Sequence, residues 1–247
     1  MFTVEERDQT LDKILKMARS DTRISGAALV GSSAKGSDRW SDLDLTFGVS
    51  MNSNFQEVLH GWTILIEREF KAPRLFDLVS GPSVYRVFLF PGNLQVDLSF
   101  TPEAEFGARG PDFSLLWGKS VQRTQAEIEY PEQLFGVAVH HLVRARISIE
   151  REKFWQAEYW LSGARERVLA LACLQRGLSA SHGRGLDNLP KDVLDEFKSS
   201  LVGSIDRESL LRSLDCMVKC LLQNSEEVQE IASRLEESLR ELPLPFE

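Results

Sequence analysis

Apolar positions along the chain change period several times, and each change marks an element. From Val4 to Ser20, Leu11, Ile14, Leu15 and Ala18 recur at helical spacing, and Thr3 with Glu6 forms a capping-box pattern. Ile24 to Val30 and Leu43 to Val49 are short apolar runs that read as strands. The helical period returns from Asn52 to Phe70, with Phe55, Val58, Leu59, Trp62 and either Leu65 or Ile66 facing inward. Arg74 to Val79 and Val84 to Phe90 read as strands split by Ser80-Gly81-Pro82. A turn at Pro91-Gly92-Asn93 joins the second to a strand from Leu94 to Phe100, making a hairpin. In this last strand Leu94, Val96, Leu98 and Phe100 share one face, while Gln95, Asp97 and Ser99 share the other.

Residues 101–120 show no clear period, and Gly107, Gly110, Pro111 and Gly118 suggest a loop, either a lid or a plain connection. From Pro131 onward the pattern is helical. Glu132 to Glu150 carries Leu134, Val137, His141 and Arg144 on one stripe, with Val139, Leu142 and Ile149 around it. Phe154 to Gln175 carries a seam of Phe154, Ala157, Leu161, Ala164, Val168 and Leu171. Asp187 or Asn188 is placed to cap a helix containing Pro190. Two more helices are expected, about Asp206 to Leu222 and Ser225 to Leu242. The change of character predicts two domains, 1–125 and 126–247.

Composition narrows the class. The chain has 247 residues, 43% of them hydrophobic, which is ordinary for a globular protein. No run of about 18 apolar residues indicates a membrane span. Met1 to Arg7 has no apolar core of a secretory signal, so a cytoplasmic protein is expected. A formal charge of −8 argues against a general nucleic-acid binder. The three cysteines, Cys173, Cys216 and Cys220, have no metal-site spacing and read as buried free thiols, although Cys216 and Cys220 share a helix face.

The chemistry gathers between the first two strands, from Gly31 to Leu45. Gly, Ser, Ala and Lys at positions 31–37 let backbone N–H groups approach a phosphate closely. Asp42 and Asp44, two apart at the start of a strand, place two carboxylates on one face. Two carboxylates so placed would repel, and a hard cation such as Mg2+ would relieve the repulsion. The spacing of Gly31 and Gly36 is that of a P-loop, but Ser37 stands where the lysine would be, so a P-loop kinase or ATPase is disfavoured. No serine-nucleophile elbow occurs, and none of the four histidines sits in a metal-binding pattern.

The order Gly31-Ser32-x-Ala34-x-Gly36, then Ser41-Asp42-Leu43-Asp44-Leu45, resembles the nucleotidyltransferase superfamily typified by DNA polymerase beta. Its finer form looks most like the small bacterial aminoglycoside and lincosamide nucleotidyltransferases and the minimal nucleotidyltransferases of toxin–antitoxin pairs. The resemblance implies an α+β fold: a mixed sheet flanked by helices, followed by a C-terminal helical bundle. It also implies transfer of a nucleoside monophosphate, AMP by preference, from an NTP to an acceptor hydroxyl, with release of pyrophosphate. Mg2+ would be held by Asp42 and Asp44. The superfamily brings a third carboxylate from a later strand, and Asp97 is the only acid in that strand. Gly31, Ser32 and Lys35 would contact the nucleotide. Related enzymes commonly use a carboxylate to deprotonate the acceptor. Glu158 is a candidate for that role and also reads as an ordinary surface glutamate; Asp97 itself could serve. Glu158 and Arg165 could line a cleft beside the helical half, and Trp155, Tyr159 and Trp160 could line an acceptor pocket or simply pack. A small hydroxylated acceptor, such as an antibiotic, is the first reading. Adenylylation of a partner protein and a catalytically silent nucleotide-binding module are the alternatives.

Overall fold

The computed structural model describes residues 1–31, 34, 38–110, 112–122 and 130–244. Its contacts divide the chain into two units, Met1–Glu127 and Ile128–Glu247. The elements of the first unit are α1 (Val4–Ser20), β1 (Ile24–Val30), β2 (Leu43–Val49), α2 (Phe55–Phe70), β3 (Arg74–Ser80), β4 (Ser83–Phe90), β5 (Leu94–Pro102) and β6 (Phe113–Trp117). Those of the second are α3 (Pro131–Glu150), α4 (Phe154–Leu174), α5 (Lys191–Phe197), α6 (Arg207–Gln223) and α7 (Gln229–Glu241), with short 3-10 turns between some of them. The architecture is α+β, a mixed sheet with flanking helices followed by a helical region.

The six strands lie in the order β3-β4-β5-β2-β1-β6. Only β2 and β5 run parallel; the other neighbours are antiparallel. Strand alternation sorts the side chains. Ala27 of β1, Leu43, Leu45 and Phe47 of β2, Phe88 of β4, and Val96, Leu98 and Phe100 of β5 join one core with Ile14 and Ala18 of α1 and Val58, Leu59, Trp62 and Ile66 of α2. Thus α1 and α2 close one face of the sheet. The Thr3–Glu6 capping box starts α1 as expected. The second helix starts later than its apolar period suggests, because the Asn54 side chain accepts from the Gln56 and Glu57 N–H groups and sets the boundary.

Residues 101–120 differ from the expected loop. Phe113–Trp117 forms β6, an edge strand paired with β1, and β5 runs on to Pro102. The partner of β6 is distant in sequence, so no local turn announces it. Phe106 is buried against Gly26 and Gly48, opposite each other on β1 and β2; a Cβ on Gly26 would lie 2.9 Å from the Phe106 ring.

In the second unit, Ala157, Leu161, Ala164, Val168 and Leu171 of α4 are buried on the expected seam. On α3, Leu134, Leu142 and Ile149 are buried as expected, and the rest of the stripe is rotated. Phe135, Ala138, Leu142, Ala145 and Ile149 face the core, while Val137 and His141 are half-buried. His141 and Arg144 mislead the periodicity of this helix, and the small Ala138 and Ala145 mark the true face. Asp187 and Asn188 lie in a 3-10 turn, Leu186–Asn188, and Pro190 itself is the N-cap of α5.

Candidate active site

The Asp-bearing strands are neighbours, and their register is specific. Asp44 of β2 lies directly opposite Asp97 of β5 in the parallel ladder, so both side chains emerge on the face that α1 and α2 leave free. The next row on that face is Thr46 opposite Ser99. Asp42 stands one residue before β2, and its negative charge acts on Asp97. Burial pushes the Asp97 carboxyl up to about 6; Gln95, whose amide donates to Asp97 Oδ1 at 3.1 Å, opposes the rise, and Asp42 adds to it.

Gly31 follows β1 directly and lies beside Asp44. It has φ of +60°, a left-handed conformation that glycine takes without strain. A Cβ there would lie 2.5 Å from Asp44 Oδ2. Position 31 therefore needs glycine twice, for its backbone and for the carboxylate beside it. Its N–H donates to the Asp112 carbonyl at 3.2 Å, which ties this end of β1 to the residue before β6. Ser32 and Lys35, the other expected nucleotide contacts, lie outside the described residues.

The turn leading into Asp42 is built from three directions. The Asp38 carboxylate accepts from the Trp40 N–H at 2.7 Å and from Ser41 Oγ at 3.2 Å, and these bonds hold its carboxyl below the usual range. Ser41 Oγ accepts from the Asp38 N–H. Buried Arg7, from the first turn of α1, donates to the Asp38 carbonyl. Sequence reasoning missed Arg7, whose place in a charged helix N-terminus looks like solvent exposure. Trp40 is 62% exposed on this turn, with the Arg39 guanidinium 4.4 Å from its ring centroid.

A divalent cation is tested on the donor set. Burial, with the Asp42 charge adding to it, raises the affinity of Asp97 for a proton, and Asp44 shares its face. Hard oxygen donors of this kind suit Mg2+. Among the described residues, no group of three or more His, Cys, Asp and Glu is already gathered to hold a metal ion.

In the second unit, Glu158 is half-buried on α4 and accepts from Ser162 Oγ at 2.7 Å. Arg165 is not a free cleft residue. Its guanidinium donates to Ser200 Oγ at 2.9 Å and to the Ser200 carbonyl at 2.5 Å, tying α4 to the segment after α5. Trp155 and Tyr159 are exposed, while Trp160 packs edge-on to Tyr159 and against His141 at 5.1 Å each.

No protein-family model matches the chain, and no curated protein matches its sequence. Among solved structures, it is similar to an aminoglycoside 6-adenyltransferase from Bacillus subtilis, at 14% identity and a TM-score of 0.42, over 99% of this chain and 100% of that one. It is also similar to the CdnE cyclic dinucleotide synthase of Elizabethkingia meningoseptica, solved with GTP and Apcpp, at 14% identity and a TM-score of 0.32, over 91% of this chain and 82% of that one. Both are nucleotidyltransferases. The likenesses are distant, and the functional reading rests on the site's own geometry.

Proposed function

We propose that this chain is a divalent-cation-dependent nucleotidyltransferase that moves AMP from ATP to a hydroxyl of a small molecule. The observation that carries the reading is the pairing of Asp44 with Asp97 across parallel strands, on the face free of α1 and α2, with Gly31 pressed against the Asp44 carboxylate. Phosphate chemistry needs negative side chains that can share a cation with the substrate and a backbone that comes close without side-chain bulk. Both requirements meet where β1 ends and β2 begins.

The acceptor oxygen would form a bond to the α-phosphorus while the bond from that phosphorus to the bridging oxygen breaks. Pyrophosphate leaves with the bond electrons, and the acceptor proton passes to a carboxylate. Asp42, Asp44 and Asp97 would hold Mg2+, which when bound activates the attacking oxygen and neutralises charge on the leaving one. Asp97 sits between Asp44 of β2 and Val87 of β4, and could also take the acceptor proton. Glu158 is the second candidate for taking the proton. Gly31 leaves room for the Asp44 carboxylate and would admit the nucleotide's phosphates together with Ser32 and Lys35.

The test is labelled-NTP transfer with Mg2+ and panels of hydroxylated small molecules, protein acceptors forming the second arm. Asp44→Asn should reduce pyrophosphate release to background while circular dichroism shows the variant folded, since the change is nearly isosteric and removes a cation-holding charge. Turnover near that of the unmodified protein would overturn the assignment. In the same assay, Glu158→Gln separates the two bases: full activity leaves the role to Asp97.

A further inference from the structure

The nucleotidyl reading leaves one edge of the sheet unused. β3 is the last strand in the order, and among the described residues no strand pairs with its outer side. Proteins that stay single usually blunt such an edge with lysine, proline or inward-pointing charge. In β3, Leu75, Phe76, Leu78 and Val79 are instead 47%, 48%, 59% and 73% exposed. Its two charged residues are taken up within their own sheet. Asp77 accepts from Arg86 through both carboxylate oxygens, at 2.8 and 2.7 Å, and from Arg74 at 3.3 Å. The one register shift, between Arg74 and Phe76, lies at the start of the strand and leaves Phe76–Ser80 regular.

The turn decides which backbone groups are free. Only Gly81 and Pro82 join β3 to β4, with Ser80 opposite Ser83 and Gly81 at φ of +56°, the form of a two-residue hairpin turn with glycine first. The residues flanking such a turn exchange both backbone hydrogen bonds, and bonded and non-bonded pairs then alternate along the ladder. Ser80, Leu78 and Phe76 therefore bond to β4, and the N–H and C=O groups of Asp77 and Val79 point to the open edge.

A second copy of the same strand fits this edge. Antiparallel pairing about a two-fold axis through Asp77, perpendicular to the sheet, sets Asp77 opposite Asp77 of the copy. Leu75 then lies opposite Val79 of the copy, and Phe76 opposite its Leu78. Each of the four apolar side chains meets an apolar one on its own face. The two Asp77 carboxylates approach each other, but each brings two guanidinium partners. A shift of two residues would set Asp77 against Leu75 or Val79 and shorten the overlap, so this register is favoured. The pattern of β3 thus matches itself, which points to a copy of the chain as the partner.

We propose that the chain forms a dimer through β3, joining two six-stranded sheets edge to edge. The pairing is isologous and closes at two copies. Both Asp44–Asp97 pairs then emerge on the same side of the joined sheet, although the proposal does not depend on nucleotidyl transfer. A strand pair lies at the small end of specific interfaces, about 1,200 Å² in total, so the dimer should dissociate on dilution.

The test is analytical ultracentrifugation of the full chain over a range of concentrations, with circular dichroism confirming that each variant is folded. The parent should shift from one chain mass to two as concentration rises. Val79→Glu places a charge against Leu75 of the copy and should weaken association by more than about 10-fold. Adding Leu75→Lys to Val79→Glu sets opposite charges across the axis in this register and should tighten association about fivefold relative to Val79→Glu alone. A monomer at every concentration up to about 0.1 mM, well above the micromolar range of weak contacts, would overturn the proposal. So would association unchanged by Val79→Glu, or a double variant that associates no better than the single one.

Discussion

The two faces of the sheet are made by the same strands and have opposite tasks. On one, Phe47, Trp62 and Phe100 meet with ring centroids 5.1–5.9 Å apart, and α1 and α2 seal them from water. On the other, Asp44 and Asp97 stand side by side, and burial lifts the Asp97 pKa instead of stabilising its charge. Folding gains on the first face and gives part of that gain back on the second. A carboxylate buried at a cost to its charged form is the physical mark of a candidate functional site.

Substitutions on the two faces should therefore separate stability from activity. Trp62→Ala, on the sealed face, should have the largest effect on stability. It removes a fully buried ring and leaves a cavity, for a loss of about 3–5 kcal/mol, or a melting point lower by roughly 6–20 °C. Transfer per folded molecule should persist, as measured at low temperature with the folded fraction taken from circular dichroism. A folded Trp62→Ala without activity would erase the distinction between faces.

Gly31→Ala should come next. The left-handed backbone alone costs about 1–2 kcal/mol with a side chain present. The new methyl also displaces the Asp44 carboxylate, so nucleotidyl transfer should fall further than the melting temperature implies. Equal losses in both measurements would show that Gly31 is only a turn residue.

Asp97→Asn should give the smallest stability change, and of the opposite sign. A carboxyl whose folded pKa is raised binds its proton more tightly in the native state, so native stability falls as pH rises from about 4 to about 6 and is level above. The full linkage value is about 3 kcal/mol, and solvent screening of this partly exposed group trims it to about 1–2 kcal/mol. In EDTA, the variant should melt higher than the parent at pH 7.5 and equal to it at pH 4. A variant that melts lower at pH 7.5 would show the carboxylate stabilising the apo fold.

Much of the α/β unit is legible in the sequence because its cues are local. Asp97 interrupts a strand whose other face is uniformly apolar, and alternation alone assigns its side of the sheet. Thr3 and Glu6 mark a helix start within four residues. The misses share a different origin. β6 owes its existence to β1, far away along the chain, and its five residues show no alternation. The buried face of α3 is set by small residues packed against α4, where Val137 and His141 draw the eye to a neighbouring stripe. Arg165 reads as a functional charge until its bonds to Ser200 come into view. At the site, the kind of residue is readable, but the contact between Gly31 and Asp44 arises from two strands lying alongside each other.

That contact also constrains how this chain can vary. Position 31 has no neutral neighbour in sequence space while Asp44 remains. Any side chain there meets the carboxylate, and trimming Asp44 relieves the collision without curing the backbone. The coupling therefore runs one way: a lineage that keeps Asp44 keeps Gly31, and one that loses Asp44 is freed of the collision but still carries the left-handed backbone at 31. In a library of variants randomised at 31 and 44 together, survivors selected for transfer should be confined to the parental pair. Survivors selected only for folding should tolerate change at 44 more readily than at 31.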